Sequence, residues 1–169
     1  TFNARLVAFK GLTRWLVTHG RLAADPLAPL KRLNPSDDRR LIRRVLTGEE
    51  FERLIQAART GPRLWGIKGR DRAMLYTVLA VTGLRRSEAS SLRGSDFDLD
   101  GEAGPVVVVN ATNTKNAQEA VQPIPAAVVG ELRAWLASKP KGAWLWPLPE
   151  RARARLLVPD LERAGIDAG

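Results

Sequence analysis

The sequence predicts an α+β fold that is mainly α-helical and carries a small antiparallel β-sheet. Three observations favour this class. Apolar residues recur at helical spacing in several segments. A run of valines at residues 106–109 is typical of a strand, and a second short apolar run follows it after a polar turn. The chain has 169 residues, 44% of them hydrophobic, which is enough to bury a core.

The first predicted helix covers residues 2–19. Its apolar residues recur every three or four positions, and Gly20 follows as a stop signal. Residues 24–38 contain three prolines together with Asn, Ser and Asp, which is the composition of a loop or linker. We therefore predict a domain boundary at residues 34–45.

A second helix is predicted to begin at Thr47, because the sequence there fits a capping box. The Thr47 side chain can accept from the amide of Glu50, and the Glu50 carboxylate can reach back to the amide of Thr47. Leu46 and Phe51 have the spacing of a hydrophobic staple across this start. Gly61 and Pro62 end the segment.

The remaining elements are predicted from apolar periodicity and from glycine and proline signals. They are, in chain order, a helix at 68–82 ended by Gly83; a short helix at 87–92 with Ser87 as its N-cap; a strand at 105–110; a polar turn at 111–118; a strand at 119–124; a helix with Pro125 at its first position; and a helical segment at 149–164 broken or kinked at Pro159.

The charge of the chain is strongly basic. It has 27 Lys and Arg against 18 Asp and Glu, a net charge of +9, and the first 60 residues, with 12 basic and six acidic side chains, contribute +6 of it. This balance favours a polyanionic partner, either nucleic acid or a membrane surface. Two interpretations of the basic linker stay open: it is a solvated segment, or it is a segment that contacts the phosphate backbone of a nucleic acid. The excess of positive charge concentrates in Lys31 and Arg32, just before the linker, and in Arg39, Arg40, Arg43 and Arg44 within it.

Several functional classes are excluded by composition. The chain has no Cys and one His, His19, which rules out disulfides, thiolate zinc sites and His-rich metal sites. The run Asp96-x-Asp98-x-Asp100-Gly101 resembles half a calcium loop, but Val107 occupies the position that requires Glu. No metal or cofactor is therefore predicted. The longest uncharged apolar stretch, residues 73–84, is too short to span a bilayer, and we expect a cytoplasmic protein with no membrane partner.

Two segments carry candidate chemistry. In Gly83-Leu84-Arg85-Arg86-Ser87-Glu88, a guanidinium fork can bind phosphate oxygens in a bidentate manner, although an Arg85–Glu88 pair that only caps the structure is an equal alternative. Lys115, at the tip of the predicted hairpin, can reach a phosphate or donate a proton, although a solvated turn lysine is the simpler interpretation. Tyr76 lies in an apolar run and is predicted to be a core residue rather than a nucleophile.

Together these segments resemble the tyrosine recombinase family, also called the phage integrase type. The arginine box Ala-Val-Thr-Gly-Leu-Arg-Arg-Ser-Glu-Ala-Ser-Ser-Leu at 80–92, followed by Ser-Asp-Phe-Asp at 95–98, is its most specific part. Residues 44–51, the hairpin with Val-Gln-Pro-Ile-Pro at 121–125, and 161–166 resemble further family segments, and residues 2–30 resemble the end of a helical core-binding domain.

The resemblance implies a domain organisation and a set of roles. Residues 1–33 would end the core-binding domain, 34–45 would form a basic linker, and 46–169 would be the N-terminal part of the catalytic domain. Arg85 would hold the scissile phosphate, Glu88 would buttress the site, and Lys115 would protonate the leaving 5′-oxygen. Arg86 and the linker cations would contact DNA.

The family also uses a His-x-x-Arg box and a tyrosine nucleophile, which would follow Gly169. We therefore expect a fragment of a site-specific recombinase that binds double-stranded DNA weakly and does not cut it. The full-length protein would act through a phosphotyrosyl intermediate, without a cofactor, and would form a homo-oligomer on DNA. The alternatives are a non-enzymatic DNA-binding protein on the same scaffold and, more remotely, a basic protein-binding or membrane-surface module.

Overall fold

The computed structural model describes residues 2–34, 45–113, 118–149 and 155–167. The chain divides into two compact units, one before Arg44 and one from Arg44 onward. The predictions for residues 35–44 and 114–117 concern positions outside the described residues.

The first unit consists of one helix and the loop that returns along it. Helix α1 spans Phe2–Thr18, which confirms the predicted helix to within one residue. The side chain of Asn3 bonds both the N–H (2.9 Å) and the carbonyl (2.7 Å) of Leu33, and Lys10 donates to the carbonyl of Ala28 at 3.1 Å. Leu6 is buried beneath this loop. The rest of the apolar stripe remains about half exposed, at Phe2, Phe9, Leu12 and Trp15.

Helix α2 spans Gly48–Thr60 and begins with the predicted capping box. The Glu50 amide donates to the Thr47 hydroxyl at 3.2 Å, and the Thr47 amide donates to the Glu50 carboxylate at 3.0 Å. Leu46 and Phe51 both pack against the core, as the staple requires. The sequence prediction for this helix start is confirmed.

Helix α3 spans Gly69–Thr82 and packs against α2. Its first residue is glycine because the two helices approach closely there. A Cβ at Gly69 would lie 2.3 Å from the carbonyl oxygen of Ala58, which no side chain could tolerate. The α3 face toward the core carries the buried Leu75 and Tyr76, and the prediction that Tyr76 is a core residue is confirmed.

The sheet has three antiparallel strands in the order β1–β2–β3. Strands β2 (Val106–Val109) and β3 (Ala120–Pro123) form the predicted hairpin, with Val107 opposite Gln122 and Val109 opposite Ala120. The sequence did not indicate β1 (Phe97–Asp98), which has only two residues and follows a 3₁₀ turn at Gly94–Asp96. Val107 and Val109 point into the core. The α+β, mainly helical fold class is confirmed.

Helices α4, α5 and α6 differ in part from prediction. Helix α4 spans only Arg86–Ala89, and α5 spans Ala126–Ala137 with Pro125 as its N-cap rather than its first residue. Helix α6 spans Val158–Arg163, so Pro159 lies in its first turn and opens the helix instead of breaking it. This is the position where a proline's missing N–H has no helical partner to lose.

The core of the second unit lies between these helices and the sheet. Trp135 of α5 stacks on Trp146 with 5.0 Å between ring centroids, and both are fully buried. Their indole N–H groups bond the Asp71 carboxylate (2.9 Å) and the Asp71 carbonyl (2.7 Å), which ties the segment after α5 to the start of α3. In the parts of the chain that the structure describes, no helix is long and apolar enough to cross a membrane.

Candidate functional site

Arg85 leaves the core at a point fixed by a left-handed turn. Helix α3 ends at Thr82, and Gly83 follows with φ +66°, its N–H donating to the carbonyl of Leu79 at 3.0 Å. Glycine adopts this backbone conformation without steric cost. Leu84 is buried, so the chain is anchored on the residue immediately before Arg85.

The Glu88 carboxylate orients the guanidinium of Arg85 through hydrogen bonds. The Arg85 N–H donates to Oε2 of Glu88 at 2.7 Å, and Nη1 of Arg85 donates to Oε1 at 2.8 Å. The Glu88 side chain is 7% exposed, whereas that of Arg85 is 60% exposed. Burial raises the pKa of Glu88, but the hydrogen bonds from the Arg85 N–H and guanidinium, with the guanidinium charge, outweigh it and hold this pKa below its usual value.

This geometry corrects the predicted helix start. Arg85, not Ser87, is the N-cap of α4, because the Glu88 carboxylate returns to the Arg85 amide and closes the first turn two residues earlier. Ser87 therefore lies inside the helix, and its side chain is exposed.

The arrangement leaves Arg85 able to bind an anion. The pair with Glu88 uses one terminal nitrogen, and within the described residues no hydrogen bond engages Nε or Nη2. The two interpretations of this segment are thus compatible: the carboxylate fixes the guanidinium, and the remaining donors form a fork suited to phosphate oxygens. Arg86, next to it, is also exposed and adds a second positive charge.

Comparison with known proteins decides the family. Residues 44–160 match the phage integrase family, which is more than half of the chain. The chain belongs to this family of tyrosine recombinases. Its arginine box, at residues 80–92, lies inside the matched region.

Individual relatives agree with the family match. The chain is 34% identical over 152 residues to the tyrosine recombinase XerC of Xanthomonas campestris pv. campestris (strain B100), covering 90% of this chain and 43% of that protein. It is 35% identical over 143 residues to XerC of Xylella fastidiosa (strain M23), covering 85% and 44%. The chain thus spans about two fifths of the length of these curated relatives.

A solved structure supports the fold. The integrase from mycobacterium phage Brujita superposes with a TM-score of 0.51 over 98% of this chain and 52% of that one, at 19% sequence identity. This likeness concerns the fold.

The structure describes only some of the other site residues predicted for this phage integrase family member. Lys115 lies outside the described residues, as do Arg39, Arg40, Arg43 and Arg44, whereas Lys31 and Arg32 are exposed in the first unit. The structure therefore brings together Arg85, Glu88 and Arg86 and leaves the remaining assignments as predictions.

The first unit contains a basic groove that the sequence did not predict. Lys31 and Arg32 line a cavity of about 510 Å³ together with Lys10 and Arg14 of α1, over a floor that includes Leu6. Lys10 and Arg14 are one helical turn apart, so a helical plot of α1 shows them on one face. Nothing in the sequence indicates that residues 28–32 lie against that face of α1.

A buried ionic network in the second unit also escaped sequence reasoning. Arg72 and Asp160 are both fully buried and form a bidentate pair, with Nε–Oδ2 at 2.7 Å and Nη2–Oδ1 at 2.9 Å. The single proton of the Tyr76 hydroxyl is within hydrogen-bond distance of two acceptors, the same carboxylate at 2.8 Å and the carbonyl of Leu156 at 3.0 Å. Burial, followed by the charge of Asp160 and its hydrogen bond, raises the pKa of Tyr76 far above its usual value.

The carboxylates of the calcium-like run have separate partners. Asp96 accepts from the Arg93 amide at 2.7 Å, Asp98 accepts from the amide of Asp100 at 3.2 Å, and Asp100 pairs with Arg133 at 2.8 Å. Within the described residues, no group of three or more His, Asp or Glu side chains could hold a metal ion.

Proposed function

We propose that this chain supplies the first-arginine part of the active site of a site-specific DNA recombinase, which cuts and rejoins DNA through a phosphotyrosyl intermediate. The observation that carries the proposal is Arg85, an exposed guanidinium held by the buried carboxylate of Glu88. Attack on a phosphodiester develops negative charge on the non-bridging oxygens. A fixed donor aimed at those oxygens stabilises the transition state, and loss of one such donor typically lowers the rate by ~10²–10³.

The other roles follow from the family resemblance. Glu88 acts as a positioning residue for Arg85, and Lys115 donates the proton to the leaving 5′-oxygen. Tyr76 is not the nucleophile, because it is buried, donates to Asp160 and has a raised pKa. Since Tyr76 is the one tyrosine of the sequence, these 169 residues do not supply the attacking group.

The partner in this proposal is double-stranded DNA. The groove formed by Lys10, Arg14, Lys31 and Arg32 supports this partner, because it concentrates four cations within one unit. Arg39, Arg40, Arg43 and Arg44 extend this charge along the linker, and Arg86 adds to it at the active site. Residues 1–33 then serve as the end of a core-binding domain, 34–45 as the linker and 46–169 as part of the catalytic domain. The complete protein assembles as a homo-oligomer on DNA in the cytoplasm.

A salt titration with matched variants tests this proposal. Binding of the chain to a 30-base-pair duplex is followed by fluorescence anisotropy at several salt concentrations. The logarithm of the association constant should fall linearly with the logarithm of salt, and Arg85→Ala should weaken binding and reduce the slope by about 1, the value for one lost phosphate contact.

Arg133→Ala is the control for Arg85→Ala. Arg133 is also more than half exposed and also pairs with a carboxylate, but it lies on α5 and its partner, Asp100, is outside the arginine box. Arg133→Ala should leave the slope of the logarithm of the association constant against the logarithm of salt unchanged. Salt-independent binding, or equal effects of the two variants, would contradict the proposal. In the full-length protein, loss of cleavage in Arg85→Ala separates the enzyme from a non-enzymatic DNA-binding protein, which would show no cleavage in either form.

A further inference from the structure

The second unit carries an open groove beside the candidate active site. It has a volume of about 650 Å³ and is lined by Trp65, Trp144, Pro147, Ser87 and Asn113, among others. Ser87 lies between Arg86 and Glu88 on α4, and Asn113 is two residues before Lys115. Two residues of its lining are thus within two positions in the chain of Arg85 and Lys115, which belong to the proposed site.

Trp65 is held in a strained backbone conformation. Leu64 and Ile67 exchange two backbone hydrogen bonds, at 2.9 and 3.0 Å, across a two-residue turn. Trp65 and Gly66, the two central residues, have φ +46° and +83°, the signature of a type I′ turn. Asn, Asp and Gly are favoured at the first central position, and a bulky residue there is a true outlier. Strained residues of this kind cluster at active sites and ligand-binding segments.

Trp144 offers an aromatic face to the same groove. The guanidinium of Arg93 lies over its ring, 4.2 Å from the centroid, and the two residues form an isolated β-bridge. Trp144 nevertheless remains 48% exposed, and Trp65 remains 40% exposed. Two partly exposed indole rings therefore line a groove of about 650 Å³, which is large enough to hold a planar ligand.

The charge around the groove is compatible with an anionic ligand. None of the described residues that line it is charged, and the guanidinium of Arg93 lies over Trp144, which is one of them. Ser87 is flanked in the chain by Arg86 and Glu88, and the charge of Glu88 is compensated by Arg85. Serine hydroxyls and the amide of Asn113 provide polar groups for hydrogen bonds. A planar aromatic ring with polar edges, joined to a negative backbone, matches these properties, and this is the chemistry of a nucleotide in a nucleic-acid strand.

We propose that this groove binds a DNA base that has left the duplex stack next to the phosphate held by Arg85, with Trp65 and Trp144 as its stacking surfaces. The inference rests on the proposed function and goes beyond it, since phosphate binding by Arg85 requires no unstacked base.

The test compares three duplexes of equal length with the intact chain: one fully paired, one with a single unpaired adenine, and one with an abasic residue at the same position. Affinity is measured by anisotropy, together with quenching of tryptophan fluorescence. The unpaired adenine should bind about 5- to 100-fold more tightly than the abasic residue, as expected for stacking on an aromatic ring. This gain should be lost in Trp65→Asn and in Trp144→Ala.

Trp65→Asn keeps the turn, because Asn-Gly is a favoured type I′ pair, and its melting temperature should equal or exceed that of the wild type. The control is Trp15→Ala, since Trp15 is 50% exposed but lies on α1 in the other unit. It should retain the full gain.

Equal affinity for the adenine and abasic duplexes would overturn the inference while leaving the proposed function intact, provided that the paired duplex binds in a salt-dependent manner. Absence of binding to all three duplexes would refute both proposals. A change of oligomeric state in Trp65→Asn, without a change in the gain from the unpaired base, would identify the groove as a protein-docking surface and would also overturn the inference.

Discussion

Replacing Asp160 by Asn should destabilise the second unit more than any exposed charge substitution. Asp160 accepts three side-chain hydrogen bonds, two from Arg72 and one from Tyr76, and both members of the ion pair are fully buried. The substitution is isosteric, so it creates no cavity, but it removes the charge that compensates Arg72. Breaking a buried pair in this way typically costs about 3–5 kcal/mol in the free energy of unfolding.

The expected loss is large relative to the stability of a domain, which is roughly 5–15 kcal/mol. For a unit of this size, 1 kcal/mol corresponds to about 3–5 °C, so the melting temperature should fall by about 10–20 °C. The measurement is urea unfolding followed by far-UV circular dichroism. Glu162→Gln is the matched control, because Glu162 lies on the same helix and is exposed, and it should change the free energy of unfolding by less than about 0.5 kcal/mol.

A second variant tests the cause rather than the size of the effect. In Arg72→Met with Asp160→Leu, the whole pair is replaced by apolar side chains, and such replacements are often neutral or stabilising. The double variant should therefore be more stable than Asp160→Asn alone. If Asp160→Asn lies within 1 kcal/mol of the wild type, Arg72 does not depend on this partner and the reasoning fails.

Three further predictions concern the capping box, the Glu88 carboxylate and the Tyr76 hydroxyl. Thr47→Ala should lower the free energy of unfolding by about 0.5–2 kcal/mol, because it removes the acceptor at the start of α2, whereas Thr60→Ala at the exposed end of that helix should change it by less; urea unfolding measures both. Because the pKa of Glu88 is lowered from 4.5, its stabilising contribution is present above that value and is lost as the pH falls through the folded-state pKa. The stability difference between wild type and Glu88→Gln should therefore shrink below about pH 4, and a constant difference down to pH 3 would contradict it. The pKa of Tyr76 is raised from 10.0, so its contribution is present below that pH and is lost as the pH rises toward the folded-state value. Tyrosinate absorbance should appear only when the chain unfolds in alkali, and reversible titration near pH 10 in the folded protein would disprove this.

Elements specified by neighbouring residues were predictable from the sequence. The start of α2 depends on Thr47 and Glu50, three positions apart, and the β2–β3 hairpin on a valine run and a polar turn. Arg85 and Glu88 were recognisable for the same reason, since their contact spans three residues. Interactions of this kind join residues only a few positions apart, so the sequence pattern indicates them directly.

Features that depend on distant residues could not be predicted. Strand β1 exists because Phe97 and Asp98 meet Val107 and Val106, and two residues alone carry no period. Arg72 lies among the buried residues of α3, and nothing in the sequence identified it as buried or Asp160 as its partner. The groove between Trp65 and Trp144 likewise depends on a strained turn, which propensities would not assign to tryptophan.

The Arg72–Asp160 pair also affects the order of events during synthesis. The two residues are 88 positions apart, so α6 can dock on α2 only after these intervening residues have been translated. At ~5–20 residues per second, this interval lasts roughly 4–18 s, during which the guanidinium has no carboxylate to join. We expect the Arg72 side chain to remain hydrated between α2 and α3 until then, because burial of its charge without a partner is unfavourable. Folding of these helices is therefore coupled to the arrival of α6, and a ribosome-bound chain that ends before Asp160 should remain sensitive to protease.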